Sequence, residues 1–174
     1  MKRPGARLTR QLLAFSRSTP VTAVRLDLGV LVRGMRSMLQ RLVGEHIRVE
    51  TMVPDRSLVI EAEATQIEQV LLNLAANARD AMPDGGLLEI QVGLRIVTED
   101  ETLPAGEYAS VKVTDTGVGM DAKTLAHLFE PFFTTKEVGR GTGLGLATVL
   151  AHVGRLRGKV TAQSSVGMDR PSWC

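Results

Sequence analysis

Cysteine, histidine and aromatic residues are scarce in this chain of 174 residues: one Cys, three His, and only 3% Phe, Trp and Tyr together. The single thiol, Cys174, cannot form an internal disulfide, which fits a reducing compartment such as the cytoplasm. One thiol and three scattered imidazoles cannot assemble a zinc cluster. So few rings provide no stacking platform for bases, and nucleic acid is not an expected partner despite a pI of 9.0. Long apolar runs are missing as well, and none approaches the ~20 residues of a membrane span. Neither sign of charge dominates: 21 Lys and Arg against 19 Asp and Glu leave a net +2. The basic excess is concentrated at the start, where Lys2, Arg3, Arg7, Arg10, Arg17 and Arg25 all precede the first acid, Asp27. Such an acid-free, Ser-containing start imitates a mitochondrial presequence. With 44% hydrophobic residues, the chain is too apolar for disorder and long enough for one domain with a real core.

Periodicity outlines the elements. Residues 6–18 place Leu8, Leu12, Leu13 and Phe15 on one helical face, and Thr19-Pro20 ends that helix. A second helix is expected from Leu28 to Val43, with Val30, Leu31, Met35, Met38, Leu39 and Leu42 as its apolar stripe. Ile47, Val49, Thr51 and Val53 alternate with Arg48 and Glu50 as in a strand, Pro54-Asp55 turns the chain, and Leu58 to Ala62 reads as a short return strand. Thr65 and Glu68 form a capping box opening a helix with Ile67, Val70, Leu71, Leu74, Ala75 and Ala78 inward, which Pro83-Asp84-Gly85-Gly86 stops. Leu88 to Ile96 alternate as a strand, and Ala109, Val111 and Val113 share one face of another. A long Gly- and Thr-containing stretch, a helix from Leu144 to about Leu156 and a weak strand from Val160 to Ser164 follow. Strands and helices without regular alternation predict an α+β fold, a two-layer sandwich of a mixed sheet and helices.

Three places invite chemistry. Asn73 and Asn77, four apart, are neighbours on the flank of the helical stripe, with Asp80 beside them. Asparagine is a mediocre helix former, so the pair is either a solvated edge or a site where amide oxygens hold Mg²⁺. Asp115 continues the inward face of Ala109, Val111 and Val113, which is costly for an unpartnered carboxylate. With Gly117 and Gly119 in D-T-G-V-G-M it is either an aspartate-capped turn or an acceptor for the adenine amino group. Gly141-Thr142-Gly143-Leu144-Gly145 opens a helix, where backbone N–H groups free of bulk make a phosphate site. No P-loop exists, and no strand leads directly into this run as a dinucleotide fingerprint requires. Upstream in Phe132-Phe133-Thr134-Thr135-Lys136, Lys136 is an ordinary loop cation or a neutraliser of a terminal phosphate.

In this order, the segments QVLLNLAANARDAMPDGG, DTGVGM and LFEPFFTTKEVGRGTGLGLATV, preceded by LTRQLLAFSR and DLGVLVRGM, resemble the ATP-binding catalytic domain of sensor histidine kinases, a branch of the Bergerat-fold ATPases. The likeness is to PAS-associated, often hybrid bacterial kinases, and it runs over about residues 7–167. It implies ATP and Mg²⁺ as cofactors, with Asn77 as the Mg²⁺ ligand, Asn73 on the same polar face as a catalytic-site residue, and Asp80 beside them as a further cofactor-binding residue. It implies further that Asp115 reads adenine, that Gly117 and Gly119 shape the base pocket, and that residues 121–141 form a mobile lid. Lys136, a second catalytic residue, would approach phosphates cradled by Gly141, Thr142, Gly143, Leu144 and Gly145. Hydrolytic relatives carry glutamate at the position of Asn73; an amide cannot be that general base, which favours phosphoryl transfer to a protein side chain.

The resemblance divides the chain into 1–20, the remnant of a dimerisation-hairpin helix that explains the basic start better than a targeting peptide; 21–167, the ATP-binding domain; and 168–174, a tail unlike the family. Family kinases have a phosphoacceptor histidine followed by an acid. Here His46, His127 and His152 precede apolar residues and read as surface or packing groups. The expectation is a cytoplasmic kinase module of a two-component system, truncated at both ends and lacking its final strand. It would act on a histidine-bearing hairpin supplied in trans and, through it, on a response regulator receiver domain. The alternatives are a non-catalytic nucleotide-binding or interaction module and, with less support, a serine kinase of the anti-sigma-factor type.

Overall fold

Asp27 starts the first helix: its carboxylate accepts the Val30 N–H at 3.0 Å and also the Ser57 hydroxyl, so one side chain fixes a helix end and a loop. The computed structural model describes residues 23–98, 103–136 and 141–164 and the backbone of 172–173. The helix expected at 6–18 and its Thr19-Pro20 stop lie outside these residues. Strand β1 (Val24–Asp27) leads directly into helix α1 (Leu28–Val43), and the Leu28 N–H bonds the Leu58 carbonyl at 3.0 Å. That junction sets the helix rotation. Leu28, Val32, Met35, Leu39 and Val43 are buried, whereas Val30 and Met38, assigned to the stripe from the sequence, are 60% and 44% exposed. Apolar residues surround more than half of this helix, so spacing alone could not choose its inner face.

Strand β2 (Ile47–Met52) does not form a hairpin with the next strand, β3 (Val59–Ala62). Instead β3 pairs antiparallel with β1, from Val24↔Ala62 to Asp27↔Val59, as a separate two-stranded sheet. Helix α2 (Ala64–Ala81) then crosses over, so that β2 pairs in parallel with β4 (Gly86–Val97), from Ile47↔Gly86 to Met52↔Gln91. The expected capping box is not made. Helix α2 begins two residues earlier than that box would start it, with Glu63 at its N-cap and Thr65 already inside the first turn. The Glu63 carboxylate accepts from the Thr65 hydroxyl at 2.6 Å and Gln66 Nε2 at 2.9 Å, which together hold it below the usual carboxylate range.

Strand β5 (Gly106–Asp115) pairs antiparallel with β4, from Leu88↔Asp115 to Val97↔Gly106. Leu88, Ile90 and Val92 of β4 and Val113 of β5 join Ile67, Leu71, Leu74, Ala75 and Ala78 of α2 in one core between sheet and helices. A short helix, α3 (Ala122–His127), absent from the sequence reading, precedes α4 (Gly145–Arg155). The weak strand is β6, only Ala162–Gln163.

The final strand is not missing. Strand β7 (Ser172–Trp173), from the tail expected to lie outside the fold, sits between β5 and β6 and is antiparallel to both, with Val113↔Trp173 and Ala162↔Trp173. The five-stranded order is β2-β4-β5-β7-β6. Backbone pairing needs no particular side chain, so this tail can supply it. Deleting residues 165–174 should strip these ladder bonds, a loss of about 1–3 kcal/mol. In a chain of this size that is a fall of roughly 2–10 °C in Tm, measured by circular dichroism. An unchanged Tm would mean that β7 adds nothing.

Candidate functional site

Helix geometry brings the first group of residues together. Positions 73, 76, 77, 80 and 81 recur at three- and four-residue intervals, so Asn73, Ala76, Asn77, Asp80 and Ala81 share one face of α2. They form one wall of a cavity of about 420 Å³, within the range of small-molecule pockets. Asp115, Val118, Gly119 and Met120 at the end of β5 form a second wall; Phe133, Thr134, Thr135 and Lys136 a third; Gly141, Thr142, Gly143 and Gly145 a fourth.

Asp115 is 4% exposed, as strand parity anticipated, and its Oδ1 accepts the Gly117 N–H at 2.9 Å. The turn is therefore aspartate-capped and also faces the cavity. Gly117 does not line that cavity. A Cβ there would lie 2.7 Å from Ala81 Cβ and 2.8 Å from the Ala81 carbonyl oxygen, so the glycine lets the loop close onto α2. Leu144 is also off the wall; its N–H turns to the Thr142 hydroxyl at 3.4 Å.

The two asparagines differ. Asn73 Oδ1 accepts from Gln69 Nε2 at 3.2 Å, and Asn73 Nδ2 donates to the Gly145 carbonyl at 3.1 Å, tying α2 to the first residue of α4. Among the described residues the Asn77 side chain makes no hydrogen bond, which leaves an amide oxygen available at the cavity wall. Such an oxygen suits a hard cation. Asp80 Oδ2 accepts from Lys136 Nζ at 2.5 Å. Partial burial opposes the charge of Asp80, but hydrogen bonds from Lys136 and Arg79 outweigh it and hold the carboxyl below its usual value.

The glycine run packs against the Phe132–Lys136 segment. Gly143 has φ 62°, its carbonyl accepts the Phe132 N–H at 2.8 Å, and Phe132 itself adopts φ 69°, unusual for a bulky residue. Of the stretch expected as a lid, residues 122–127 form α3, capped by Asp121 on the Thr124 N–H at 2.7 Å; residues 137–140 lie outside the described part. His46 and His127 are exposed and His152 is half-buried, matching their reading as surface or packing groups. Sequence reasoning missed Ala76 and Ala81, which the same helical spacing implies. It also missed Met120 and Ser164, joined by a 2.8 Å bond from the Met120 N–H to Ser164 Oγ, for which the sequence carries no signal.

Residues 62–170 match the family of histidine kinase-, DNA gyrase B- and HSP90-like ATPases. The chain belongs to this family, as an ATP-binding domain of the sensor histidine kinase kind. Over 168 residues it is 42% identical to the sensor kinase CckA of Brucella abortus, an alignment covering 93% of this chain but only 18% of that protein. Its fold matches full-length ShkA in complex with AMPPNP, with TM-score 0.75 and 23% identity over 96% of this chain and 34% of that one. It also matches the histidine kinase ThkA in complex with the response regulator TrrA, with TM-score 0.70 and 21% identity over 97% and 45%. The chain thus spans less than a fifth of its Brucella relative. No helix among the described residues is long and apolar enough to cross a membrane.

Proposed function

We propose that the cavity binds ATP with Mg²⁺ and that the domain transfers the terminal phosphoryl group to a histidine on a dimerisation hairpin of another chain. The observation that carries this reading is the convergence, on one cavity, of a buried carboxylate, a free amide, a lysine and a glycine-rich helix start. Asp115 accepts the adenine amino group beside the Gly119 turn. The N–H groups at the start of α4, with Gly141, Thr142 and Gly143, hold phosphate oxygens. Lys136 neutralises the terminal phosphate. Asn73, through the Gly145 carbonyl, keeps the helix end in position. Asn77, with Asp80 nearby, is the residue fitted to hold Mg²⁺, which when bound neutralises phosphate charge. The acceptor imidazole nitrogen forms a bond to the terminal phosphorus as the bond to ADP breaks, and Lys136 with the N–H groups at the start of α4 stabilises the charge spread over the transferring group. A receiver domain then takes the phosphoryl group, in a cytoplasmic setting where ATP is supplied.

The test is to mix this chain with γ-labelled ATP, Mg²⁺ and a histidine hairpin from a related kinase. Label should appear on the hairpin, and Asn77→Ala should reduce it at least tenfold while weakening metal-free nucleotide binding less. Intact Mg²⁺-dependent ATP binding without any transfer would favour the non-catalytic module instead.

A further inference from the structure

Asp80 divides its two oxygens between two cations. Oδ1 accepts from Arg79 Nε at 2.9 Å and from an Arg79 terminal nitrogen at 2.8 Å, whereas Oδ2 accepts from Lys136 Nζ at 2.5 Å. Arg79 is its sequence neighbour on α2; Lys136 lies 56 residues away on another wall of the cavity. The Lys136 and Asp80 side chains are about one-third exposed, at 34% and 30%. The pair is therefore reachable by solvent and by any anion entering the cavity. If Lys136 departs, Asp80 is not orphaned, because Arg79 still satisfies Oδ1. The contact is thus separable at small cost, unlike a buried ion pair whose loss strands a charge.

An anion binding beside Lys136 meets two opposing charges, the ammonium that attracts it and the carboxylate that already holds that ammonium. We propose that Asp80 is a resting-state counter-ion for Lys136, a self-inhibitory contact that nucleotide phosphates must displace. Asp80 is then a positioning residue that lowers nucleotide affinity; it does not touch the nucleotide or its metal. This rests on the reading of Lys136 as the phosphate-binding cation. Exchange of one anion for another on the same lysine would set the threshold at which ATP occupies the cavity.

Calorimetry with ATP and Mg²⁺ on the 174-residue chain, comparing wild type, Asp80→Asn, Lys136→Met and the double variant, tests this directly. An exposed pair of this kind predicts that Asp80→Asn binds about two- to fivefold tighter. Lys136→Met should bind more weakly, and adding Asp80→Asn to it should restore nothing. Weaker binding by Asp80→Asn would overturn the proposal and make Asp80 a ligand of metal or nucleotide. Equal tightening in the Lys136→Met background would overturn it as well, because removal of negative charge alone would then be the cause. If Lys136→Met leaves affinity unchanged, the reading of the lysine itself fails and takes the proposal with it. Asp80→Ser makes the same charge removal should Asp80→Asn unfold, with ligand-free melting curves as the check.

Discussion

Asp115→Asn should weaken ATP binding about 10- to 100-fold and reduce discrimination against GTP, because hydrogen bonds to a charged acceptor are worth about 1.5–3 kcal/mol. The substitution is informative because it is nearly isosteric. Asparagine Oδ1 can still accept the Gly117 N–H, now at 2.9 Å, so the turn at 115–117 keeps its local bond. What changes is the second half of the group, where an oxygen becomes an amide nitrogen that donates towards a donor. Calorimetry with ATP and with GTP reads both numbers. Equal ATP affinity in wild type and variant would remove Asp115 from the base site and leave it a turn-capping residue.

A comparable loss is expected from Gly143→Ala, for a steric reason. A Cβ at this position would lie 2.3 Å from the Phe132 carbonyl carbon and 2.6 Å from its Cα and its oxygen, all backbone atoms. No side chain can rotate aside to relieve the clash, and φ 62° costs a non-glycine residue about 1–2 kcal/mol in addition. The segments 132–136 and 141–145 must separate, breaking the Phe132 N–H bond to the Gly143 carbonyl. ATP affinity should fall at least tenfold, while the ligand-free Tm falls by only a few degrees, because neither residue belongs to the core between sheet and helices. Gly34→Ala is the control: its Cβ meets nothing within 4 Å, and it should raise stability without altering nucleotide binding. Full retention of ATP affinity in Gly143→Ala would show that the glycine run does not shape the site.

Legibility in the sequence followed the physics of burial. Strand β4 and helix α2 were readable because each has one buried face and a regular period, as in Leu88, Ile90 and Val92 or Leu71, Leu74 and Ala78. The same logic found Asp115, whose parity with Val113 placed a carboxylate where only apolar groups are cheap. Strand β1 was invisible because four residues, V-R-L-D, carry no period longer than noise. The partner of β2 was misread because it is set by where helix α2 returns the chain, to β4, not by the composition of the strand. Strand β7 escaped for a related reason: two residues pair through backbone atoms common to every sequence. Within the site, the face 73–77–80 was legible from helical spacing. The bonds from Asn73 to Gly145 and from Lys136 to Asp80 were not, since they join positions 72 and 56 residues apart. The family resemblance supplied roles for those residues, but it carried no information on which of them would hold one another.

The tie between Asn73 and Gly145 limits what chemistry can be grafted onto this cavity. The amide nitrogen donates to a carbonyl oxygen 3.1 Å away. A glutamate at position 73, the residue that activates water in hydrolytic relatives, has no donor when ionised and would set one oxygen against another. To point that carboxylate at a water it would also have to release the start of α4, the part of the domain proposed to grip the phosphates. The exchange of one side chain would therefore disturb substrate grip and water activation together. A route from the proposed phosphoryl transfer to hydrolysis through position 73 is obstructed by packing as well as by acid–base chemistry, and opening it would take a second change where α4 begins.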